Sequence, residues 1–243
     1  MKTTIRIFII LFTINICFGD DFSRSDPDSF IQNINWYGQS AIKIKSIDKI
    51  IYIDPFRIQE KDSADIILIT HDHKDHFDPA SIAKISTSET VIIAPASCKI
   101  SIEKTGLKNL VLMVPREKRE IKGLVIESVP AYNIKKPRFH PKKNNWLGYI
   151  ITIDGIRIYH VGDSERIPEM KKLQCDIAFV PLGQTYTMNS VEEAANAVLD
   201  VGASIAIPIH YGLYEGTGDD AIEFQKLLKE KVKVIILPDK SFE

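Results

Sequence analysis

The stretch that decides the reading is ADIILITHDHKDH, residues 64–76. Its first half, ADIILIT, is an unbroken apolar run of strand length, the pattern of a strand buried on both faces. Its second half follows at once and sets His71, His73 and His76 among Asp72, Lys74 and Asp75. The chain has six histidines in 243 residues, so half of them fall inside this short segment. An even spread would place one roughly every 40 residues. Strand ends in α/β folds are where ligand sites gather. Read as extended backbone, the segment turns His71, His73 and Asp75 to one side and His76 to another. Two imidazoles and a carboxylate on one side suit zinc or a similar divalent ion, and His76 would serve a second ion close by. A solvated turn would explain Asp72 and Lys74 but would not call for three histidines.

Working outward, the segments before and after it alternate between strand and helix. AIKIKS and KIIYID, joined by SIDK, form a predicted hairpin. A helix is expected near residues 79–86 with Asp78 as its N-cap, then strand TVIIAP, helix 96–104 and strand LVLMV. Residues 119–161 hold the strands GLVIESVP, GYIITID and IRIYHVGD without a helix, and DGI makes a tight hairpin turn. Alternation then resumes with CDIAFVPLG, helix 191–199, SIAIPIH, helix 221–231 and VKVIILP. Each half contains strands that end in polar, metal-capable residues. This pattern predicts an α/β fold of two mixed sheets with helices outside, in one domain over residues 34–243.

The charge balance excludes a general nucleic-acid binder: 31 Lys+Arg against 32 Asp+Glu leaves a net charge of −1, with no basic excess to hold a phosphate backbone. Three cysteines are too few for a disulfide scaffold or a thiolate zinc cluster, and the sequence does not say whether Cys98 and Cys175 pair. The first residues read as an export signal. Lys2 and Arg6 precede the apolar run IFIILFTINICF, which is too short to span a bilayer and fits a signal-peptide core. Cys17 and Gly19 supply small residues at a cleavage site that would leave Asp20 as the new N-terminus. Lipid anchoring through Cys17 fits less well, because Ile16 stands where a small residue is preferred. The expected mature protein is periplasmic or extracellular and has no transmembrane helix, and residues 20–33 read as a polar linker.

The motif H-x-H-x-D-H after a buried strand resembles the metal motif of the metallo-β-lactamase superfamily. The segments IDPF, THDHKDH, YHVGDSE, PLGQTYTMN and PIHYG occur in the order of its metal-dependent hydrolase branch. That branch is similar to ascorbate-6-phosphate lactonase and, more distantly, to N-acyl-phosphatidylethanolamine phospholipase D. The resemblance covers nearly the whole chain after residue 34 and implies a four-layered αβ/βα sandwich. It also implies that His71 and His73 bind a first ion, that Asp75, His76 and His210 bind a second, and that Asp163 bridges the two. Asp163 and His210 each follow an apolar strand, which agrees with those roles.

Two positions depart from the family pattern. Asn133 stands where relatives place a histidine for the first ion, and Asn is a poor zinc ligand beside imidazole. His140, seven residues on, could loop back to supply the imidazole or could touch substrate. Gln39 stands where relatives often carry histidine, and it can donate a hydrogen bond but cannot act as an acid or base near neutral pH. Asp54 resembles the carboxylate that orients a ligand histidine, and His160 reads as support or core. Tyr186, Thr187 and Tyr211 could line the pocket. Lys135, Lys136, Arg138, Lys142 and Lys143 flank His140 and could attract an anionic small-molecule substrate.

The expected activity is hydrolysis of a small ester, lactone or phosphodiester. It would use two divalent ions, Zn2+ first and Mn2+ or Fe2+ as alternatives, with a hydroxide shared between them and Asp75 orienting it or carrying protons. A mononuclear iron oxidative enzyme of the same fold and a non-catalytic metal- or ligand-binding protein are the alternatives.

Overall fold

Along the strand Ile177–Pro181, Ile177 and Phe179 face one way and Ala178 and Val180 the other, and all four are buried. The same period of two runs through most strands, so each sheet is apolar on both faces and must be covered on both. The computed structural model, which describes residues 24–241, meets that requirement with four layers. The expected leader and its cleavage point, residues 1–20, lie outside the described residues.

The first sheet holds β1 (Ile34–Trp36), β2 (Ile42–Lys45), β3 (Ile50–Ile53), β4 (Ile66–Leu68), β5 (Val91–Ala94) and β6 (Leu110–Leu112), side by side in chain order. Its first two pairings are antiparallel and the remaining three parallel. The second sheet holds β7 (Lys118–Ile121), β8 (Leu124–Pro130), β9 (Leu147–Ile153), β10 (Ile156–His160), β11 (Ile177–Pro181), β12 (Ile205–Ile209) and β13 (Lys233–Val234). Pairings from β7 to β10 are antiparallel and those from β10 to β13 parallel. The fold is therefore the expected sandwich of two mixed sheets with outer helices.

One apolar cluster lies between the sheets, with Ile44, Ile53, Ile66 and Leu68 meeting Ile151, Ile158, Phe179 and Ile207. The opposite faces carry the helices. Ile67, Ile69 and Ile92 pack on Ile82 and Ile85 of α2 (Pro79–Ile85) and Ile102 of α3 (Lys99–Glu103). Ala178, Val180 and Ala206 pack on Ala194 and Val198 of α4 (Val191–Asp200) and on Phe224 of α5 (Gly218–Leu228). Each fully buried Ile or Phe contributes about 1.5–3 kcal/mol.

Local chemistry explains several boundaries. Asp78 caps α2 by accepting from Ala80 N, and Pro79 fits the first turn because it lacks an N–H that would go unpaired there. Asp154 and Gly155 both have positive φ, 51° and 76°, the conformation a two-residue hairpin turn requires. Three expectations are corrected. The linker over 20–33 contains a helical turn, α1 (Pro27–Phe30), capped by Asp26 and seating buried Phe30. The final strand pairs only over β13, so VKVIILP is mostly irregular. The last helix begins at Gly218, earlier than expected, because Thr217 and Asp220 form a reciprocal capping box. Among the described residues no helix is long and apolar enough to cross a membrane. Cys98 and Cys175 are both free and buried.

Candidate metal centre

Seven strand ends and loops open at one end of the sandwich: those after β1, β3, β4, β8, β10, β11 and β12. They bring Gln39, Asp54, the His71–His76 segment, His140, Asp163, Tyr186 and His210 together. The His71–His76 segment is not extended, which corrects the alternation argument. His76 N and Phe77 N both donate to His73 O, at 3.0 and 2.8 Å, so the chain winds into a turn. The turn separates the motif into two groups. His71, His73, His140 and Asp163 offer ligand atoms within 4.8 Å of one another, and so do Asp75, His76 and His210. Asp75 therefore belongs with His76 and His210 rather than with His71 and His73.

Asp163 stands between the groups. Its Oδ2 is 3.3 Å from His76 Nε2, 3.3 Å from His140 Nε2 and 3.2 Å from His210 Nε2. His71 Nε2 lies 3.9 Å from the same oxygen and 3.0 Å from His73 Nδ1. Ligand atoms bound about 2.0–2.1 Å from one tetrahedral zinc stand about 3.3–3.4 Å apart, close to these spacings. His76 Nε2, His140 Nε2 and Asp163 Oδ1 are buried without a hydrogen-bond partner. Buried polar atoms are rarely left so, and a shared cation would satisfy them. The donor set and its orphaned atoms fit divalent metal.

On four of the imidazoles, those of His71, His76, His140 and His210, the opposite ring nitrogen stands beside an oxygen that can accept its hydrogen. Thr70 Oγ1 gives its one hydrogen to Asp54 Oδ2 at 2.6 Å, so it must accept from His71 Nδ1, 2.9 Å away. His76 Nδ1 donates to Asp54 Oδ2 at 2.7 Å. His140 Nδ1 donates to Tyr186 O at 3.1 Å, and His210 Nδ1 lies 3.0 Å from Glu215 Oε1. Each arrangement leaves an Nε2 lone pair for the centre. Three residues at these strand ends hold left-handed backbone, Gln39 (φ 44°), Asp54 (φ 47°) and His210 (φ 58°), strain of the kind that collects at functional sites.

The electrostatics follow from burial against charge. Burial holds His71 and His73 below the usual histidine range. For His210 burial again opposes the charged form, but Asp163 and Glu215 outweigh it and push the imidazole up to about 10. His76 is likewise held well above its usual value by Asp163 and Asp54 against the cost of burial. Burial would raise Asp163, but His210 and His76 together hold its carboxyl well below the carboxylate range. The pocket thus stabilises positive charge beside Asp163.

The other expected residues divide. Asn133 belongs to neither ligand group. Its Nδ2 donates to Tyr186 O at 2.7 Å and its Oδ1 accepts from Glu165 N at 3.1 Å, so it braces His140. His160 donates from Nε2 to Ser40 O and accepts at Nδ1 from Gly162 N, a structural pairing away from the ligand groups. Gln39 Nε2 donates to Asp75 Oδ2 at 3.0 Å. Tyr186 lines a cavity of about 350 Å3 over the ligands. Tyr211 instead stacks on Trp36, with centroids 4.9 Å apart, and Thr187 is tied to Gly183 O and Glu215. Of the basic loop, none of the five cations lines this cavity. Lys136 is spent on Gln184 O and Met188 O, and Lys142 on Tyr132 and Glu169.

Sequence reasoning missed three residues. Glu215 accepts from Thr185 N and Tyr186 N besides pairing with His210. Glu165 accepts from Ile134 N, Lys135 N and Lys136 N, fixing the loop that leads to His140. Trp146 packs against His71, His73 and His140 with centroids 4.8, 4.8 and 5.4 Å away. A glutamate two residues after Asp163 was the one available signal, and none pointed to Glu215.

Residues 33–210 match the sequence model of the beta-lactamase superfamily domain. The chain is 32% identical over 226 residues to the UPF0173 metal-dependent hydrolase of Pyrococcus furiosus, covering 86% of this chain and 98% of that one. It is 33% identical to a homologue named in the same way from Methanosphaera stadtmanae, over 82% of this chain and 92% of that one. A crystal structure described as a metal-dependent hydrolase of Parabacteroides distasonis superposes with a TM-score of 0.74 and 36% identity, covering 84% and 91% of the two chains. With the family matched over most of its length and relatives of similar size, the chain belongs to the metallo-β-lactamase superfamily, among its metal-dependent hydrolases.

Proposed function

We propose that the protein binds two divalent cations, zinc first, and hydrolyses a small ester, lactone or phosphodiester. The observation that carries this reading is the convergence of three buried imidazole Nε2 atoms, from His76, His140 and His210, on one oxygen of Asp163. In this reading His71, His73 and His140 would hold one ion and Asp75, His76 and His210 the other, with Asp163 within reach of both groups. The ions, when bound, supply hydroxide from water near neutral pH and stabilise negative charge on the substrate. The chain supplies the rest. Asp54, Thr70, Glu215 and the Tyr186 carbonyl orient the imidazoles. Asp75 lines the cavity with Oδ2 held by Gln39, placed to accept a proton and pass it on. Trp146 packs against the rings of His71, His73 and His140 and holds them in place.

Turnover by zinc-, manganese- and iron-loaded protein over a panel of esters, lactones and phosphodiesters tests the reading. One class should be hydrolysed, and His71→Ala should fall below about one hundredth of that rate. A panel on which the loaded protein does no better than His71→Ala would overturn it. We also propose export with removal of residues 1–19. The intact mass of protein from its native cell should correspond to a chain beginning at Asp20, and a mass retaining the leader would refute this.

A further inference from the structure

The cavity over the centre has walls unlike its floor. The floor is the ligand set, and the walls are the rings of Phe139, Tyr186 and Tyr214 with the side chain of Lys74. Tyr186 and Tyr214 keep 37% and 53% of their surface exposed, a clustering of large rings at a pocket mouth that marks a contact surface. Phe139 and Tyr186 meet edge to face, 4.9 Å between centroids at 88°, and form an aromatic corner. That corner is held rigidly. Tyr186 N donates to buried Glu215 at 2.6 Å, and Tyr186 O accepts from Asn133 Nδ2 and His140 Nδ1. The residues that lock the ring's backbone are thus the ones that orient two histidines of the floor.

Among the described residues Lys74 is the one lysine or arginine that lines the cavity. Among the described residues it has no ion-pair or hydrogen-bond partner, whereas Lys136 and Lys142 are engaged elsewhere. Arg138 lies over the Phe139 ring at 4.5 Å and so backs that wall. A volume of about 350 Å3 sits at the small end of ligand pockets, enough for one ring and its substituents. Apart from ions held by the floor, the walls offer an anion Lys74 alone, so a second anionic group remote from the ions would find no partner there.

We infer that the substrate carries a single flat aromatic ring bearing one anionic group. The ring packs on the Phe139–Tyr186 corner and the anion meets Lys74. This names the substrate class of the hydrolase reading above and rests on it.

Titration calorimetry of zinc-loaded protein with benzoate and with cyclohexanecarboxylate tests the inference without turnover. These ligands share an anion and differ in the ring. Benzoate should bind about five- to tenfold tighter, because ring–ring packing contributes beyond area burial. Tyr186→Leu should abolish that preference, and Lys74→Met should weaken both ligands about threefold, as for a partly exposed ion pair. Metal content, measured alongside, should be unchanged in Lys74→Met. Equal affinity for the two ligands, or a preference that survives Tyr186→Leu, would overturn the inference. Discrimination without hydrolysis of any ester, lactone or phosphodiester would refute the catalytic reading alone, and hydrolysis without discrimination would refute this inference alone.

Discussion

Each of the buried imidazoles of His71, His76, His140 and His210 spends Nδ1 on a different acceptor: a threonine hydroxyl, an aspartate, a backbone carbonyl and a glutamate. Their Nε2 atoms are therefore aimed before any ligand arrives. Removing such a partner typically costs 10–100-fold in metal affinity. Glu215→Gln should weaken one of two zinc ions by about that factor in a competition titration with a chelator, while unchanged affinity would deny Glu215 this role. His140→Ala should bind one zinc where the wild type binds two, and two retained ions would show that His140 is not a ligand. Asp54 was legible because IDP stands beside the motif in the family order. Glu215 was not, because two of its partners, Thr185 and Tyr186, reach it from the loop after β11, and its five-residue spacing from His210 within the loop after β12 matches no motif.

At the scale of elements, the strands carry the site and the loops complete it. The strand positions were readable because both sheets are buried on both faces, so β4, β11 and β12 appear as short apolar runs. The turn at His71–His76 was not readable, because its hydrogen bonds to His73 O belong to backbone geometry that side-chain period does not encode. The helical turn at residues 27–30 was hidden by its polar composition, and only Asp26 and Pro27 signalled it. Close approach also shapes the loops. A Cβ on Gly183 would stand 1.7 Å from Glu215 Cδ, so Gly183→Ala must displace the carboxylate that holds His210. It should lower stability by about 1–3 kcal/mol, as overpacking does, and weaken one zinc ion. A thermal melt and a zinc titration would check both, and wild-type values in the two would contradict the packing argument.

For the whole molecule, metal and pH should both be felt in stability. Ligand binding to the folded state adds about 2.7 kcal/mol at one hundred times its Kd. For a domain of this size about 1 kcal/mol shifts the midpoint by roughly 2–4 °C. Chelation should therefore lower the melting temperature by about 5 °C or more, and a melt insensitive to chelator would contradict metal binding to the folded chain. The acid limb has a separate source. Burial would raise Glu60, but Lys43, Tyr37 and Tyr52 outweigh it and hold its carboxyl below the usual glutamate value. A lowered folded-state pKa gives stability that is present above the unfolded value and lost as pH falls through the folded one. Glu60→Gln should thus flatten the loss of stability below about pH 4.5, measured by denaturant unfolding of chelated protein. An unchanged acid limb would remove Glu60 from it.

The central claim is that one carboxylate, Asp163, joins two metal sites. Zinc content per chain after reconstitution and desalting, for wild type and Asp163→Ala, tests it most directly. The account expects two zinc ions in the wild type and the loss of both at matched free zinc in the variant. A wild type that holds fewer than two, or an Asp163→Ala protein that keeps both, would contradict it.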